Sequence, residues 1–413
     1  MTTRSKMARL AGKALVGSLV VLLLAGPLFA AEQPTVSAKL AKPLKAAQDA
    51  LTAKNYDEAL QKIKEAQAMP DRTAYDNYVI GTFLVKAYAG KQDMASEVPV
   101  IESLAQSQYS TPDQKKLYLK SAAQYYYQVK DYNKALETAN EAVKAGANDN
   151  DTVGLVAKSE YLTGKYKEAA ATQQDIVSKM EKPDEESLKL LWQFDLKADD
   201  KVAAGKAVEK LVAYYPKPEY WANALASLAN ADTKDAHLQL NVYRLMNDVG
   251  VLKRGLDYAE MADIALDQGY PGETEAVLQK AFAENVFTEQ RDKERYQHLL
   301  DGAKQRAATD MAALPNTEKD AANAPTGDKL VQVGAAYLSY GQNDKAIAAI
   351  TKGIAKGSLK YPDEAYLLLG ISQLRSHDAI NAQKSFEKVG GSSNSGYARL
   401  GKLWALHAGA HNV

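Results

Sequence analysis

The chain has 413 residues, 46% of them hydrophobic, with 51 basic residues balanced by 51 acidic ones and no cysteine. That apolar fraction belongs to a folded protein and excludes wholesale disorder. Zero cysteine excludes disulfide frameworks, cysteine-ligated zinc, iron–sulfur clusters and thiol catalysis, and zero net charge argues against a general nucleic-acid or polybasic membrane binder.

The first element is an address. Arg4, Lys6, Arg9 and Lys13 precede an apolar run from Ala14 to Ala25, then Gly26-Pro27 and the small residues Ala30-Ala31. Basic end, short apolar core, helix break and small residues follow the order of a secretory signal, with cleavage expected after Ala30 or one residue later. The core is shorter than the roughly 20 residues a bilayer span needs, although the run stretched to Ala31 would serve as a retained anchor. The expected location is the periplasm, because a large eukaryotic secreted chain without cysteine is unusual. Removing residues 1–30 takes away four basic and no acidic residues, so the remainder is mildly acidic.

From there the hydrophobic spacing predicts helical hairpins over 36–69, 73–106, 112–145, 151–180 and 184–215, with less regular pairs over 218–249 and 255–285. A longer helix is expected over 288–312. Residues 313–327, polar and bracketed by Pro315 and Pro325, read as a linker. Two regular pairs follow over 328–356 and 362–389. After the Gly/Ser stretch 390–396, a closing helix is expected over 397–411. The domain reading is therefore a signal (1–30), a main array (31–312), a linker (313–327) and a C-terminal pair with a cap (328–413).

The hairpins repeat one beat. Asn55-Tyr56-Asp57-Glu58-Ala59-Leu60, Asp131-Tyr132-Asn133-Lys134-Ala135-Leu136 and Lys165-Tyr166-Lys167-Glu168-Ala169-Ala170 align, and the beat returns around Ala346 and Ala382. Small residues fall where paired helices cross: Ala123 with Ala135, Gly334 with Ala346, Gly370 with Ala382. Bulky Tyr126, Tyr337 and Phe386 are placed to fill the space between units. The copies centred on Gly205 and Thr274 depart from the pattern. No single hairpin buries both faces, so stacking must supply the core. On these residues the chain resembles the tetratricopeptide repeat family, which implies an all-α, right-handed α-solenoid of antiparallel hairpins. Lys42 to Tyr56 and Gly81 to Gly90 are also similar to exported tetratricopeptide proteins that accompany TonB energy transducers.

Catalytic chemistry is sparse. His407 and His411 have a chelating i, i+4 spacing, but no metalloprotease glutamate follows and both lie at the chain end. Gly396 to Lys402 has phosphate-loop spacing, yet Leu403 stands where Ser or Thr should hold magnesium. Asp184-Glu185-Glu186 and Asp199-Asp200 read as a helix N-terminus and a turn. No catalytic residue, cofactor or metal is expected.

The family resemblance implies that the first helix of each hairpin lines a groove that holds partner segments. Lys120, Gln124 and Tyr127 fall on that face of one unit, and Lys158 and Tyr161 on that of the next, suited to an extended or helical peptide with acidic or amide groups. Packing between units accounts for Tyr127 and Tyr161 equally well. In the C-terminal pair the matching face is apolar (Val331, Ala335, Leu338, Leu367, Ile371, Leu374), fitting either a partner helix or cover by residues 397–411. The functional expectation is a periplasmic scaffold or adaptor for envelope proteins, without nucleic-acid partners, accessory to a TonB-type transport system. The alternatives are an envelope-biogenesis factor, handling outer-membrane proteins, polysaccharide or peptidoglycan, and then an enzyme.

Overall fold

The computed structural model describes residues 34–229, 235–390 and 395–410. The expected export signal and His411 lie outside the described residues. The helices pair along the chain as α1 (Ala41–Thr52) with α2 (Tyr56–Gln67), α3 (Ala74–Lys91) with α4 (Met94–Gln106), α5 (Pro112–Gln128) with α6 (Tyr132–Lys144), α7 (Asn150–Leu162) with α8 (Tyr166–Ser178), and α9 (Glu185–Lys197) with α10 (Lys201–Tyr214). Then come α11 (Pro218–Ala229), α12 (Ala236–Asp248), α13 (Gly255–Asp267) with α14 (Pro271–Ala283), and the long α15 (Gln290–Ala322). The series ends with α16 (Asp328–Ser339) and α17 (Asn343–Lys356), α18 (Pro362–Arg375) and α19 (Ala379–Phe386), and α20 (Ser395–Ala410). No strand occurs among the described residues.

One local device makes most of the turns. Eight first helices end in a residue at φ between 58° and 82°: Lys54, Gln92, Lys130, Gly164, Asp199, Gly269, Gly341 and His377. The residue after each donates its backbone N–H to the carbonyl five positions back, as in Asp131 to Tyr126 (2.9 Å) and Asp378 to Gln373 (2.9 Å). That bond satisfies a carbonyl the helix end would leave bare. The same donor residue is the N-cap of the second helix, and Asn55, Asp93, Asp131, Asp200 and Asp378 also cap it with their side chains. Each turn is thus a C-cap fused to an N-cap, which explains the polar residues beside the repeating beat.

The chain divides into two compact units, residues 1–118 and 119–413, with the boundary inside α5. In the first, Leu40, Leu44, Ile63, Ile80 and Leu84 form the core. Asp76 there is buried, and burial alone would raise its pKa. Hydrogen bonds from the Ser37 N–H and hydroxyl and the Thr73 N–H override that and hold it down at about 2.

In the second unit the small residues sit at crossings as expected. Ala123, Ala135, Ala346 and Ala382 are fully buried, and a Cβ on Gly334 or Gly370 would run into Ile350 or Phe386. Replacing Ala135 with Leu is expected to overpack its crossing and lower stability by about 1–3 kcal/mol, read from a denaturation midpoint. An unchanged midpoint would refute this helix register.

Two expectations about layout need correction. Residues 313–327 are not a linker: α15 continues through Pro315 to Ala322, and the chain turns only after Asn323. Leu314 and Ala321 are buried, and α15 is tied to α16 by Tyr337 Oη to Glu318 (3.0 Å) and Tyr340 Oη to Asp310 (2.7 Å). Those contacts outweigh the one backbone donor lost at proline. Nor do residues 328–413 form a separate pair with a cap. One continuous apolar core runs from Val177 on α8 to Ala408 on α20.

That continuity depends on α12 and α20. Leu238, Leu240, Val242, Tyr243 and Leu245, spread round α12, are all buried. It meets α18 through His237 Nδ1 and Glu364 (3.0 Å) and through Asp248 and Arg375 (3.2 Å). α20 packs on α18 and α19, and also on α10, α11 and α12, where Arg399 pairs with Glu209 (2.7 Å). The array folds back on itself, and its own helices cover much of the apolar face of α16 and α18.

Candidate partner-binding face

The N-caps Asp131, Lys165 and Asp200 fix a common register for the helices before them. Four residues back stand Tyr127, Tyr161 and Leu196; seven back, Gln124, Lys158 and Gln193; eleven back, Lys120, Gly154 and Lys189. Side chains at these spacings share one helix face. The five residues expected from sequence therefore belong to a face continued on α9 by Lys189, Gln193 and Leu196, which sequence reading missed. Counting back from each N-cap would have found them, because the turn keeps its geometry where the aromatic of the beat is lost.

The units are linked across this face. Lys120 Nζ reaches Asp149 (2.8 Å), the N-cap of α7. Burial pushes the Asp149 carboxyl up, but Lys120 and Thr152 outweigh it and the net shift is downward. The Tyr161 ring stacks on Phe194 of α9 (centroids 4.8 Å) and meets Tyr166 edge-on (5.4 Å), while its hydroxyl accepts from Gln193 Nε2 (3.1 Å). Tyr127 packs edge-on to Tyr132 (5.5 Å) and is half-buried, which raises its hydroxyl pKa. Gln124, Lys158 and Lys189 are exposed, and Lys158 makes no ion pair among the described residues. The tyrosines thus join hairpins, while Gln124, Lys158 and Lys189 are open to solvent.

The unit also holds a polar centre, seen only in three dimensions. Arg244 on α12 is fully buried and forms a bidentate pair with Glu273 on α14 (Nε to Oε1 2.8 Å, Nη2 to Oε2 2.6 Å), with Nη1 on Asn241 Oδ1 (2.8 Å). Tyr270 lies under the guanidinium at 5.5 Å. Burial opposes both charges, yet their attraction keeps Arg244 protonated and Glu273 ionised. Asp195, at the end of α9, is pushed up to about 6 by burial and by Asp200. These groups are engaged in packing and pairing. Beside Arg375 and Asp248 opens a cleft of about 430 Å³ reached by His377 and His407. His407 lies between Trp221 and Trp404. Among the described residues no group of three His, Asp or Glu side chains is placed to hold a metal ion, and no helix is long and apolar enough to cross a membrane.

By its register and its turns, the chain is an all-α helical-repeat protein. No family model matches it, and no curated protein does. Among solved structures it is similar to a tetratricopeptide repeat protein from Parabacteroides merdae (12% identity, 79% of this chain and 98% of that one, TM-score 0.30). It is also similar to the TPR2AB domain of yeast Sti1, solved with pHSP90 (14%, 72% and 99%, TM-score 0.25), and to yeast Tom70 (11%, 91% and 96%, TM-score 0.23).

Proposed function

We propose that the chain is a non-catalytic scaffold that holds a segment of another protein on the exposed face of α5, α7 and α9. The observation that carries this is the register of Lys120, Gln124, Tyr127, Lys158, Tyr161, Lys189 and Gln193 across three linked hairpins. Amides answer the backbone of an extended peptide, lysines its carboxylates, and tyrosine edges its apolar side chains. The finer part of the proposal places this work in the periplasm, beside a TonB-type transporter. It is supported by the basic–apolar–small order of residues 1–31 and by the resemblance carried by Lys42 to Tyr56 and Gly81 to Gly90.

Crosslinking in intact cells followed by purification tests both parts. Tyr127→Ala combined with Lys158→Ala is expected to weaken partner capture about tenfold or more while circular dichroism stays unchanged. Capture at parental levels by the folded double variant would remove this face from the proposal. Recovery of the chain in the cytoplasmic fraction would remove the periplasm.

A further inference from the structure

We infer that Asp195 is a proton-operated catch in the α9–α10 hairpin, which is tight when this carboxyl carries a proton and loosens when it does not. In two other hairpins the residue five before the N-cap of the second helix is bonded to the residue seven after it. In α7–α8 these are Glu160 and Thr172, whose hydroxyl donates to the carboxylate at 2.8 Å. In α18–α19 they are Gln373 and Ser385, whose hydroxyl donates to the amide oxygen at 2.7 Å. In α9–α10 the same two places hold Asp195 and Ala207, so the acceptor is present and its donor is missing. Asp195 is only 4% exposed and Ala207 2%. No hydrogen bond or ion pair among the described residues engages the Asp195 side chain. An ionised carboxylate there lacks the partner that a buried charge requires.

Nothing nearby replaces the donor. Asp200, fixed at the turn by capping the Ala203 N–H (2.9 Å), repels the Asp195 carboxylate. On the two helices packed against α9, Lys167, Glu168 and Asp175 of α8 and Lys201 and Lys206 of α10 are exposed. Glu209 of α10 is paired with Arg399, and neither it nor Lys210 offsets Asp200. Burial first, and Asp200 second, raise the carboxyl from an ordinary 3.8 to about 6. The closed hairpin therefore binds this proton more tightly than the open one does. Closure is favoured as pH falls through about 6 and is weakest above it. Gln193 and Leu196 flank Asp195 where α9 continues the partner-binding face, so the same proton orders that part of the face. This last consequence rests on the proposed function; the catch itself does not.

Amide hydrogen exchange of the full chain at pH 7 and pH 5, corrected for the intrinsic pH dependence of exchange, reads the catch. The α16–α17 hairpin is the reference, with Tyr337 and Ala349 at the same two places and no carboxyl in the crossing. Protection of α9 and α10 is expected to rise about tenfold relative to α16–α17 on going to pH 5. Asp195→Asn mimics the protonated acid, and its α9–α10 protection is expected to be high at both pH values. Ala207→Ser supplies the missing hydroxyl and is expected to cut the rise to about threefold or less. Carbon-13 NMR of labelled aspartate should show the Asp195 titration moving to lower pH in that variant. A parental rise no larger than that of α16–α17, or a rise retained in Asp195→Asn, would overturn the inference. So would an Ala207→Ser variant in which Asp195 titrates as in the parent. None of these readouts involves a partner, so failure of the partner-binding face would leave them unchanged.

Discussion

Glu273→Ala is expected to cost about 3–5 kcal/mol. The guanidinium of Arg244 would remain in the interior with two of its donors unmatched, since arginine does not shed its proton there. Asn241 Oδ1 would still take Nη1 and the Tyr270 ring would still face the cation, but neither carries a compensating charge. A loss of this size is a large fraction of the 5–15 kcal/mol that holds a typical domain together. Removing both partners should behave differently. Arg244→Met with Glu273→Leu is expected to recover most of the loss, because the pair's desolvation cost disappears with its attraction. Urea denaturation of the two variants, followed by tryptophan fluorescence, checks this. A Glu273→Ala midpoint equal to the parent's would mean that the pair is not desolvated as the structure has it.

Trp404→Ala is expected to cost a similar amount, about 3–5 kcal/mol, and to do so locally first. Trp404 is fully buried, stacks on Phe386 (centroids 5.5 Å, 22° between planes) and meets His407 edge-on at 5.9 Å. Its removal leaves a void where α20 touches α19, and the remaining anchors of α20 are Tyr397, Leu400 and Leu403 with the Arg399–Glu209 pair. Amide hydrogen exchange should therefore accelerate in α20, and in α10 to α12 beneath it, at denaturant concentrations that leave α5 to α9 protected. Uniform acceleration over residues 119–410 would show that α20 does not open as a separate element.

The two sites differ in how much of them sequence carried. Periodicity located the hairpins to within a few residues, because helix spacing, N-cap aspartates and small crossing residues are all local signals. The same signals placed Lys120, Gln124, Tyr127, Lys158 and Tyr161 on one face. They failed on α9, where Lys201 stands in place of the aromatic, although the turn around Asp199 and Asp200 is unchanged. They failed again at 313–327, where proline and polar residues imitate a linker. What continues that helix is Tyr337 and Tyr340, which the chain delivers only after it has turned.

By itself, then, the sequence determined the repeating unit, the hairpin register and the small-residue crossings. Each depends on residues within about 35 positions, the reach of one hairpin on its neighbour. Tertiary structure alone decided that the array folds back, with α12 buried on all sides and α20 laid over α10 and α11. His237 with Glu364 and Arg399 with Glu209 join residues 127 and 190 positions apart. Charges so far separated leave no periodic trace, and Arg244 reads in the chain like any helical surface arginine until Glu273 is brought against it.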